Sequence, residues 1–281
     1  MNYRKMNVLV AVNENYLEPL SVMLYSLACH NRVEIFVYIL HFDISLHAQV
    51  KFREKVINWE KRLIKIRFIQ AEKDDFAEIG ADPRYRQEAN LRLQMQKLLP
   101  ENVSRILWLD ADIIVNGNIQ SFYEYPDKGQ YAIVCEDMFP DNEKRDVLRR
   151  IGMRQNERYF NSGVMLLYLN NIREAFEETY FLSVLKKNFH RMIYPDQSVL
   201  NICLKHHLVW CSSEIYNLQL LRLDGSSNGR RKIKAAKILH YNTKEKPWNR
   251  NYDGIAKMQY WRYCFHSLGM RRCMERFWKT R

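Results

Sequence analysis

The chain has 281 residues, 47% of them hydrophobic, which is enough to bury a substantial core in one large domain or two small ones. Its formal net charge of +12 predicts attraction to an anionic partner, a class that includes nucleic acids, membrane surfaces and phosphorylated substrates. The six cysteines have no CxxC spacing and the chain is too long to need a disulfide framework, so we expect reduced thiols in a cytosolic protein.

The N-terminus, MNYRKMNVLVAVNENY, has basic residues before a short apolar stretch, but Asn13 and Glu14 interrupt that stretch before it reaches the length of a signal-peptide core. No uninterrupted apolar run approaches the about 20 residues of a transmembrane helix. We therefore expect a cytoplasmic protein that is either free in solution or peripheral at the inner face of the membrane.

An alternation of strand and helix patterns runs through the first part of the chain. Apolar runs at residues 7–12, 33–42 and 63–71 have the length of strands, whereas residues 17–30 and 45–62 repeat apolar side chains at helical intervals. This succession predicts an α/β fold with a mostly parallel sheet covered by helices.

A polar segment at residues 72–88, broken by Gly80 and Pro83, predicts a loop of the length usually found over active sites. After it we expect further strands at 106–115, 130–137, 163–170 and 235–241, and further helices at 89–100, 171–191 and 196–207.

The stretch ILWLDADIIV, residues 106–115, sets two aspartates into a run that is otherwise as apolar as a buried strand. In an extended segment Asp110 and Asp112 point to the same face with Cα atoms about 6.6 Å apart, so the two carboxylates can share one cation. The alternative is a strand end whose aspartates meet solvent in a turn. Because ligands of doubly wound sheets bind at the carboxyl ends of strands, these residues fall where a site is expected.

Four stretches together resemble glycosyltransferase family 8. They are VLVAVNENYLEPLSVMLYSL near the start, RILWLDADIIV in the middle, YFNSGVMLLYLNN with YPDQSVLN after it, and HYNTKEKPW near the end. The resemblance implies a GT-A fold, that is, a single Rossmann-like domain at residues 1–254. It also implies retaining transfer of a hexose, glucose or galactose, from a UDP-sugar to a saccharide or lipid-linked acceptor.

The resemblance makes Asp110, Asp112 and His240 the metal ligands, with Ala111 beside the nucleotide. Carboxylate oxygens with one imidazole suit Mn²⁺ or Mg²⁺, and the imidazole favours Mn²⁺. Lys246 would add positive charge to the diphosphate oxygens. Taken alone, a histidine is usually structural and a lysine usually solvated.

The nucleotide is expected where the first strand gives way to its helix. Many family members have an aspartate at Asn13, whose amide can both donate to and accept from a uracil edge. Thr243 stands where members usually have glycine, which predicts a different position of that loop over the diphosphate. The resemblance assigns to the uridine side Ala11, Val12, Asn13, Asn15 and Tyr16.

The donor sugar is assigned five residues by the resemblance. Asn161 and Ser162 hydrogen-bond sugar hydroxyls, Arg92 lies near the sugar and phosphate, and Asp196 and Gln197 lie beside the anomeric carbon. Four of the five also have a structural alternative: turn composition for the Asn-Ser pair, a solvated charge for Arg92, and a complement to the helix dipole for Asp196.

Retention of the anomeric configuration can proceed through a covalent glycosyl-enzyme. It can also proceed by front-face substitution, in which the acceptor attacks the same face of the sugar that the leaving group departs from. Gln197 is a poor nucleophile. We therefore favour front-face substitution, with Gln197 stabilising an oxocarbenium-like state electrostatically and Asp196 fixing the sugar hydroxyls.

The C-terminal segment, residues 255–281, mixes aromatic and basic side chains in a helical pattern. It can act as an interfacial membrane anchor, with rings at the headgroup level and cations on anionic lipid, or as a helix that packs one aromatic face on the body.

Two other classes of function compete with the transferase. One is a nucleotide-sugar or carbohydrate-binding protein that kept the fold without turnover. The other is a basic metal-dependent nucleic-acid-binding protein, against which the sequence shows no recognised nucleic-acid motif, so we expect no nucleic-acid partner.

Overall fold

The structure of the protein is a computed structural model that describes residues 4–59, 64–73, 76, 87–249 and 251–269. Most of the loop predicted at 72–88 lies outside the described residues. The strands are β1 (Lys5–Ala11), β2 (Glu34–His41), β3 (Ile64–Gln70), β4 (Arg105–Leu109), β5 (Ile113–Val115), β6 (Ala132–Glu136), β7 (Phe160–Tyr168), β8 (Leu208–Cys211), β9 (Leu218–Gln219) and β10 (Ile238–His240).

The helices cover the strands and connect them. They are α1 (Leu17–His30), α2 (Leu46–Ile57), α3 (Met95–Leu98), α4 (Gln120–Tyr123), α5 (Asp141–Arg150), α6 (Leu169–Ala175), α7 (Tyr180–Asn188), α8 (Pro195–Leu204), α9 (Ser213–Tyr216), α10 (Ser227–Ala235) and α11 (Lys257–Leu268). Short 3-10 segments lie at Glu14–Tyr16, Gln87–Gln94, Phe189–Arg191 and Leu220–Arg222.

Seven strands form the main sheet in the order β3-β2-β1-β4-β7-β6-β8. Every neighbouring pair is parallel except the two pairs that β7 makes, with β4 and with β6. The predicted mostly parallel α/β sheet is therefore confirmed. All nine residues of β7 are buried, as expected for a central strand with helices on both faces.

Side chains alternate across β4 into two apolar layers, one on each face of the sheet. Ile106 and Trp108 join the layer that contains α8, whereas Leu107 and Leu109 join the layer that contains α1. This double burial fixes β4 rigidly, and the chain leaves the sheet directly after it.

The single strand predicted at 106–115 is wrong. The chain turns at residues 110–112 and continues as β5 in a second sheet of three strands, ordered β5-β10-β9. The turn is held from both sides, because the Asp110 N–H donates to the Gly163 carbonyl and the Tyr241 N–H donates to the Asp112 carbonyl. The two aspartates thus lie at the junction of the two sheets.

Two predicted helices also differ from the structure. Residues 87–94 wind as a 3-10 helix before the short α3, and the long helix predicted at 171–191 is divided into α6, α7 and a 3-10 turn. The division falls at Phe176, whose backbone is extended and whose ring contacts those of Tyr131, Tyr180 and Phe181. Tertiary packing of aromatic rings therefore overrides the helical pattern there.

The described part of the C-terminal segment packs on the body, since α11 lies against α1 and buries Tyr260 and Trp261. The packing interpretation is therefore confirmed for α11. Residues 270–281, which carry Phe277 and Trp278, lie outside the described residues, so the anchor interpretation stays a prediction for them. Among the described helices, none has both the length and the apolar character needed to cross a bilayer.

Candidate functional site

The turn after β4 brings two carboxylates to one imidazole. His240 ends β10, and its Nε2 lies 3.4 Å from Asp112 Oδ1 and 3.8 Å from Asp110 Oδ2. One ligand atom from each of the three side chains can be chosen so that all lie within 4.8 Å of one another. A cation with bonds of about 2.1 Å holds neighbouring ligand atoms about 3 Å apart and opposite ones about 4.2 Å apart. The three side chains therefore fit one small divalent cation.

The imidazole of His240 is oriented from behind by Asn217. Asn217 Nδ2 donates to Asn161 Oδ1 at 2.9 Å, so its Oδ1 is the atom that faces His240 Nδ1, also at 2.9 Å. In the neutral ring this arrangement puts the proton on Nδ1 and the Nε2 lone pair toward the carboxylates. That tautomer is the one a metal requires.

The ring of His240 also rests on Gly163, which leaves no room for a side chain. A Cβ at residue 163 would overlap His240 Cε1 and would lie 2.9 Å from its Nδ1. The glycine carbonyl accepts the Asp110 N–H at 2.9 Å, so one residue fixes both a carboxylate segment and the imidazole.

The charge of Asp112 is balanced by Lys246. The ammonium donates to Asp112 Oδ2 at 2.7 Å and to the Tyr241 carbonyl at 2.7 Å, and this leaves Oδ1 directed toward His240. Burial acts to raise the pKa of Asp112, but the Lys246 ammonium, through its charge and its hydrogen bond, opposes that rise, and the pKa is held well below its usual range. The Lys246 ammonium therefore stabilises the ionised form of Asp112.

Arg92 is buried among several polar partners and is not a solvated charge. Its guanidinium contacts Asp110 Oδ1 at 3.0 Å and Asp196 Oδ2 at 3.1 Å, and donates to the carbonyl and hydroxyl of Ser162. It also lies 4.2 Å from the centroid of the Trp108 ring. Burial raises the pKa of Asp196, and the charge of Arg92 opposes that rise.

Gln197 is fixed at both ends of its amide. Its Oε1 accepts the Ser162 N–H at 2.9 Å, and its Nε2 donates to Asp137 Oδ2 at 3.1 Å. The same Asp137 oxygen accepts from Asn161 at 3.0 Å. Burial raises the pKa of Asp137, and the two amide donors only partly offset that rise.

Asp137, Asn217 and Trp108 were missed by the sequence analysis. Asp137 follows β6 directly, so the criterion that singled out Asp110, a carboxylate at the carboxyl end of a strand, would have found it. Trp108 donates from Nε1 to Asp110 Oδ1 at 2.8 Å but resembles an ordinary core residue in the sequence. Asn217 lies in no pattern that distinguishes it.

Two adjoining cavities share the carboxylates of Asp110 and Asp112, and between them they include most of the predicted site residues. The first cavity lies at the end of β1. Its lining includes the predicted residues Ala11, Val12, Asn13, Tyr16, Arg92, Asp110, Ala111 and Asp112. The second extends from the same carboxylates to the predicted residues Asn161, Asp196, Gln197, His240 and Lys246.

Three predicted residues line neither cavity. Asn15 is exposed and lines a separate groove beside α2. Ser162 lies inside β7, where neighbouring residues point to opposite faces, so Asn161 faces the cavity while the Ser162 hydroxyl contacts Arg92 and Gln197. Thr243 bonds the Glu245 carbonyl within its own loop.

Gly163→Ala is expected to weaken the binding of a divalent cation by about tenfold or more, because the new methyl group displaces the His240 ring from the carboxylates. Isothermal titration of the purified protein with Mn²⁺ measures the effect. Gly225→Ala is the matched control, since its Cβ would meet only Ile255 at 3.6 Å, an ordinary contact. Unchanged Mn²⁺ affinity in the Gly163 variant would contradict the geometry.

Asp137→Asn is expected to raise the melting temperature of the metal-free protein near neutral pH. A carboxyl group whose pKa rises on folding lowers the free energy of unfolding above that pKa, and this loss vanishes as the pH falls through the folded pKa toward the ordinary value. The gain should therefore shrink as the pH falls toward about 4. Calorimetry in EDTA across this range measures it, with exposed Asp253→Asn as control. If the difference in melting temperature between Asp137→Asn and the wild type did not change with pH, the raised pKa of Asp137 would be excluded as its cause.

Several proteins of known identity resemble the chain along most of its length. It is 27% identical to lipopolysaccharide 1,2-glucosyltransferase of Escherichia coli (strain K12) over 254 residues, which cover 87% of this chain and 73% of that protein. It is 26% identical to glycosyltransferase GlyF of Streptococcus pneumoniae serotype 4 over 269 residues, which cover 92% of this chain and 61% of that protein. The chain thus spans less than two thirds of the second relative.

Among solved structures, galactosyltransferase LgtC in complex with donor and acceptor sugar analogs superposes with a TM-score of 0.77 at 20% identity, covering 92% of this chain and 95% of that one. This likeness shows the predicted GT-A fold. The sequence profile of glycosyltransferase family 8 matches residues 7–252. With that match, the GT-A fold and the Asp-Asp-His cluster between two cavities, the chain belongs to glycosyltransferase family 8.

Proposed function

We propose that the protein transfers glucose or galactose from a UDP-sugar to a hydroxyl group of a glycan or glycolipid, with retention of anomeric configuration and dependence on Mn²⁺. The observation that carries the proposal is the cluster of Asp110, Asp112 and His240, whose two aspartates line both cavities. One cavity is then available for a nucleotide and the other for sugars, with a diphosphate between them.

The first cavity suits a pyrimidine nucleotide. Asn13 Oδ1 is buried in its wall and has no hydrogen-bond partner among the described residues. A buried oxygen without a donor is unfavourable, so a ligand N–H such as that of uracil N3 would satisfy it. Tyr16, edge-on to Trp248 at 5.6 Å between ring centroids, forms an aromatic wall beside it. This orphaned acceptor supports uridine binding although many relatives have an aspartate there.

Asp110, Asp112 and His240 are the residues that would hold the cation. Two carboxylates and one imidazole suit Mn²⁺ better than Mg²⁺, which prefers an all-oxygen site. When bound, the cation supplies electrostatic neutralisation of the charge that grows on the departing UDP. Lys246 donates to Asp112 and would add a second positive charge near the phosphate oxygens.

The second cavity supports the sugar assignments. Asp196 is locked by Arg92 and can accept hydroxyl hydrogens of the donor sugar, while Asn161 and Gln197 are held by Asp137 in fixed orientations. Preorganised amide dipoles of this kind stabilise a developing oxocarbenium ion without reorganising during the reaction. In front-face substitution, the anomeric carbon leaves the phosphate oxygen, the acceptor oxygen bonds on the same face, and the phosphate oxygen takes the acceptor proton.

The far wall of this cavity suits a saccharide acceptor. Phe139 and Tyr194 stack there with ring centroids 5.4 Å apart, and half-exposed Leu221 lies at its rim. Apolar ring faces beside fixed polar groups are typical of small-molecule sites. The proposal includes residues 1–254 as the transferase domain, residues 255–281 as a C-terminal segment, and action at the inner face of the membrane.

The test of the function is Mn²⁺-dependent hydrolysis of UDP-glucose and UDP-galactose without acceptor, together with the melting temperature in a panel of nucleotide sugars. A ligand at about 100 times its Kd stabilises the folded state by about 2.7 kcal/mol. We expect stabilisation by one or both UDP-sugars with Mn²⁺, and its loss in Asp112→Asn and His240→Ala.

ADP-glucose and GDP-mannose serve as controls for the base. Equal stabilisation by all nucleotide sugars would contradict uridine selection at Asn13. Binding of a UDP-sugar with Mn²⁺ but without hydrolysis or transfer to any acceptor would favour the non-catalytic binding protein.

Gln197→Ala is expected to lower the turnover number by about a hundredfold while UDP affinity changes little, because the amide acts on the oxocarbenium-like state and not on the nucleotide. Hydrolysis kinetics and calorimetric titration with UDP and Mn²⁺ separate the two quantities. A loss of UDP affinity as large as the loss of rate would contradict this role.

A further inference from the structure

One flank of α2 exposes an apolar stripe. Leu46, Val50 and Ile57 are 79%, 52% and 73% exposed, and they account for half of the six large hydrophobic side chains that are exposed in the described residues. Together with Arg53 they follow spacings of four, three and four residues, so all four project from one face of the helix. The stripe runs the whole length of α2.

The stripe is continuous with the edge of the main sheet. Arg53 lies 4.8 Å from the centroid of the Phe68 ring on β3, and Phe52 contacts the same ring. On the α2 side of β3, Ile64 and Ile66 are only half-buried. β3 is the last strand of the sheet, with no described strand on its outer side. The α2–β3 edge, defined as residues 46–57 and 64–70, is therefore an apolar surface without a described cover.

Positive charge lies on both sides of this apolar surface, on α2 and on the face of β3 that points away from α2. The α2–β3 edge contains five basic residues, Lys51, Arg53, Lys55, Lys65 and Arg67, and one acidic residue, Glu54. Lys51 and Arg67 are exposed, and the Lys65 ammonium pairs with Glu34 while 63% of its side chain stays exposed. Apolar side chains flanked by cations bind anionic lipid surfaces, where the apolar groups enter the boundary of the acyl chains and the cations meet headgroup phosphates.

We propose that the α2–β3 edge docks on an anionic lipid bilayer. The positive charge of the α2–β3 edge argues against a second copy of the chain as the partner that covers it. Pairing two β3 edges in antiparallel fashion about Ile66 would set Lys65 opposite Arg67, which is unfavourable. A negatively charged surface removes the same repulsion.

Docking there would hold the catalytic edge of the sheet close to the lipid. Ser45, which caps α2, donates from its N–H and hydroxyl to Glu14 Oε2 at 3.2 and 3.0 Å. Glu14 follows Asn13, which lines the first cavity. The amino end of the docking helix is therefore tied to the loop that borders the nucleotide cavity. The α2–β3 edge includes no residue of the C-terminal segment 255–281, and the inference does not depend on the proposed function.

The test is co-sedimentation of the full chain with vesicles of phosphatidylcholine alone and of phosphatidylcholine mixed with phosphatidylglycerol. We expect binding to the phosphatidylglycerol vesicles, weakening with added salt. The triple variant Leu46→Ser, Val50→Ser, Ile57→Ser should lower the partition constant by about tenfold or more. Arg53→Glu should lower it on anionic vesicles while the apolar side chains remain.

Met258→Ser is the matched control, because Met258 is 68% exposed on α11 and lies outside the stripe. A second comparison, Phe277→Ala with Trp278→Ala, isolates the C-terminal segment. The proposal is overturned if the wild type does not bind anionic vesicles, or if the triple variant binds like the wild type. It is also overturned if light scattering finds a wild-type dimer that the triple variant turns into a monomer.

Discussion

The site depends on how the negative charges of two carboxylates at the end of a buried strand are balanced. Charged groups in such a position are unstable unless cations or hydrogen-bond donors surround them. Arg92 donates to Asp110 from one side and Lys246 donates to Asp112 from the other. With its proton on Nδ1, His240 presents a lone pair to the two acids and adds no donor. The turn after β4, the break into a second sheet and the buried position of Arg92 all serve this one electrostatic requirement.

The sequence predicted the parts of the molecule that short-range patterns determine. Alternating strands and helices identified the sheet, and Asp110, Asp112 and His240 were assigned together although the second aspartate and the histidine lie 128 positions apart. The resemblance to a family supplied that long-range pairing, because composition and periodicity carry no information about which distant side chains meet. The direction of β7 was equally invisible, since an antiparallel central strand has the same apolar pattern as a parallel one.

The supporting residues were harder to predict than Asp110, Asp112 and His240. Asn217 orients His240 through one amide, and Asp137 holds Asn161 and Gln197 through one oxygen. Single polar residues of this kind act through partners that are far away in sequence, so no local spacing marks them. The predictions of the helices at 89–100 and 171–191 were wrong for a related reason. The tertiary contacts of Arg92 and Phe176 act on the backbone around them.

The ammonium of Lys246 touches Asp112 and a carbonyl of the β10 loop at the same time. It therefore neutralises part of the negative charge of the cluster before any divalent ion arrives. Folding of this domain need not wait for manganese, in contrast to small zinc domains whose ligands repel one another without their ion. Under the proposed dependence on Mn²⁺, a cell short of the metal would accumulate a folded, idle enzyme that becomes competent as soon as the ion is supplied.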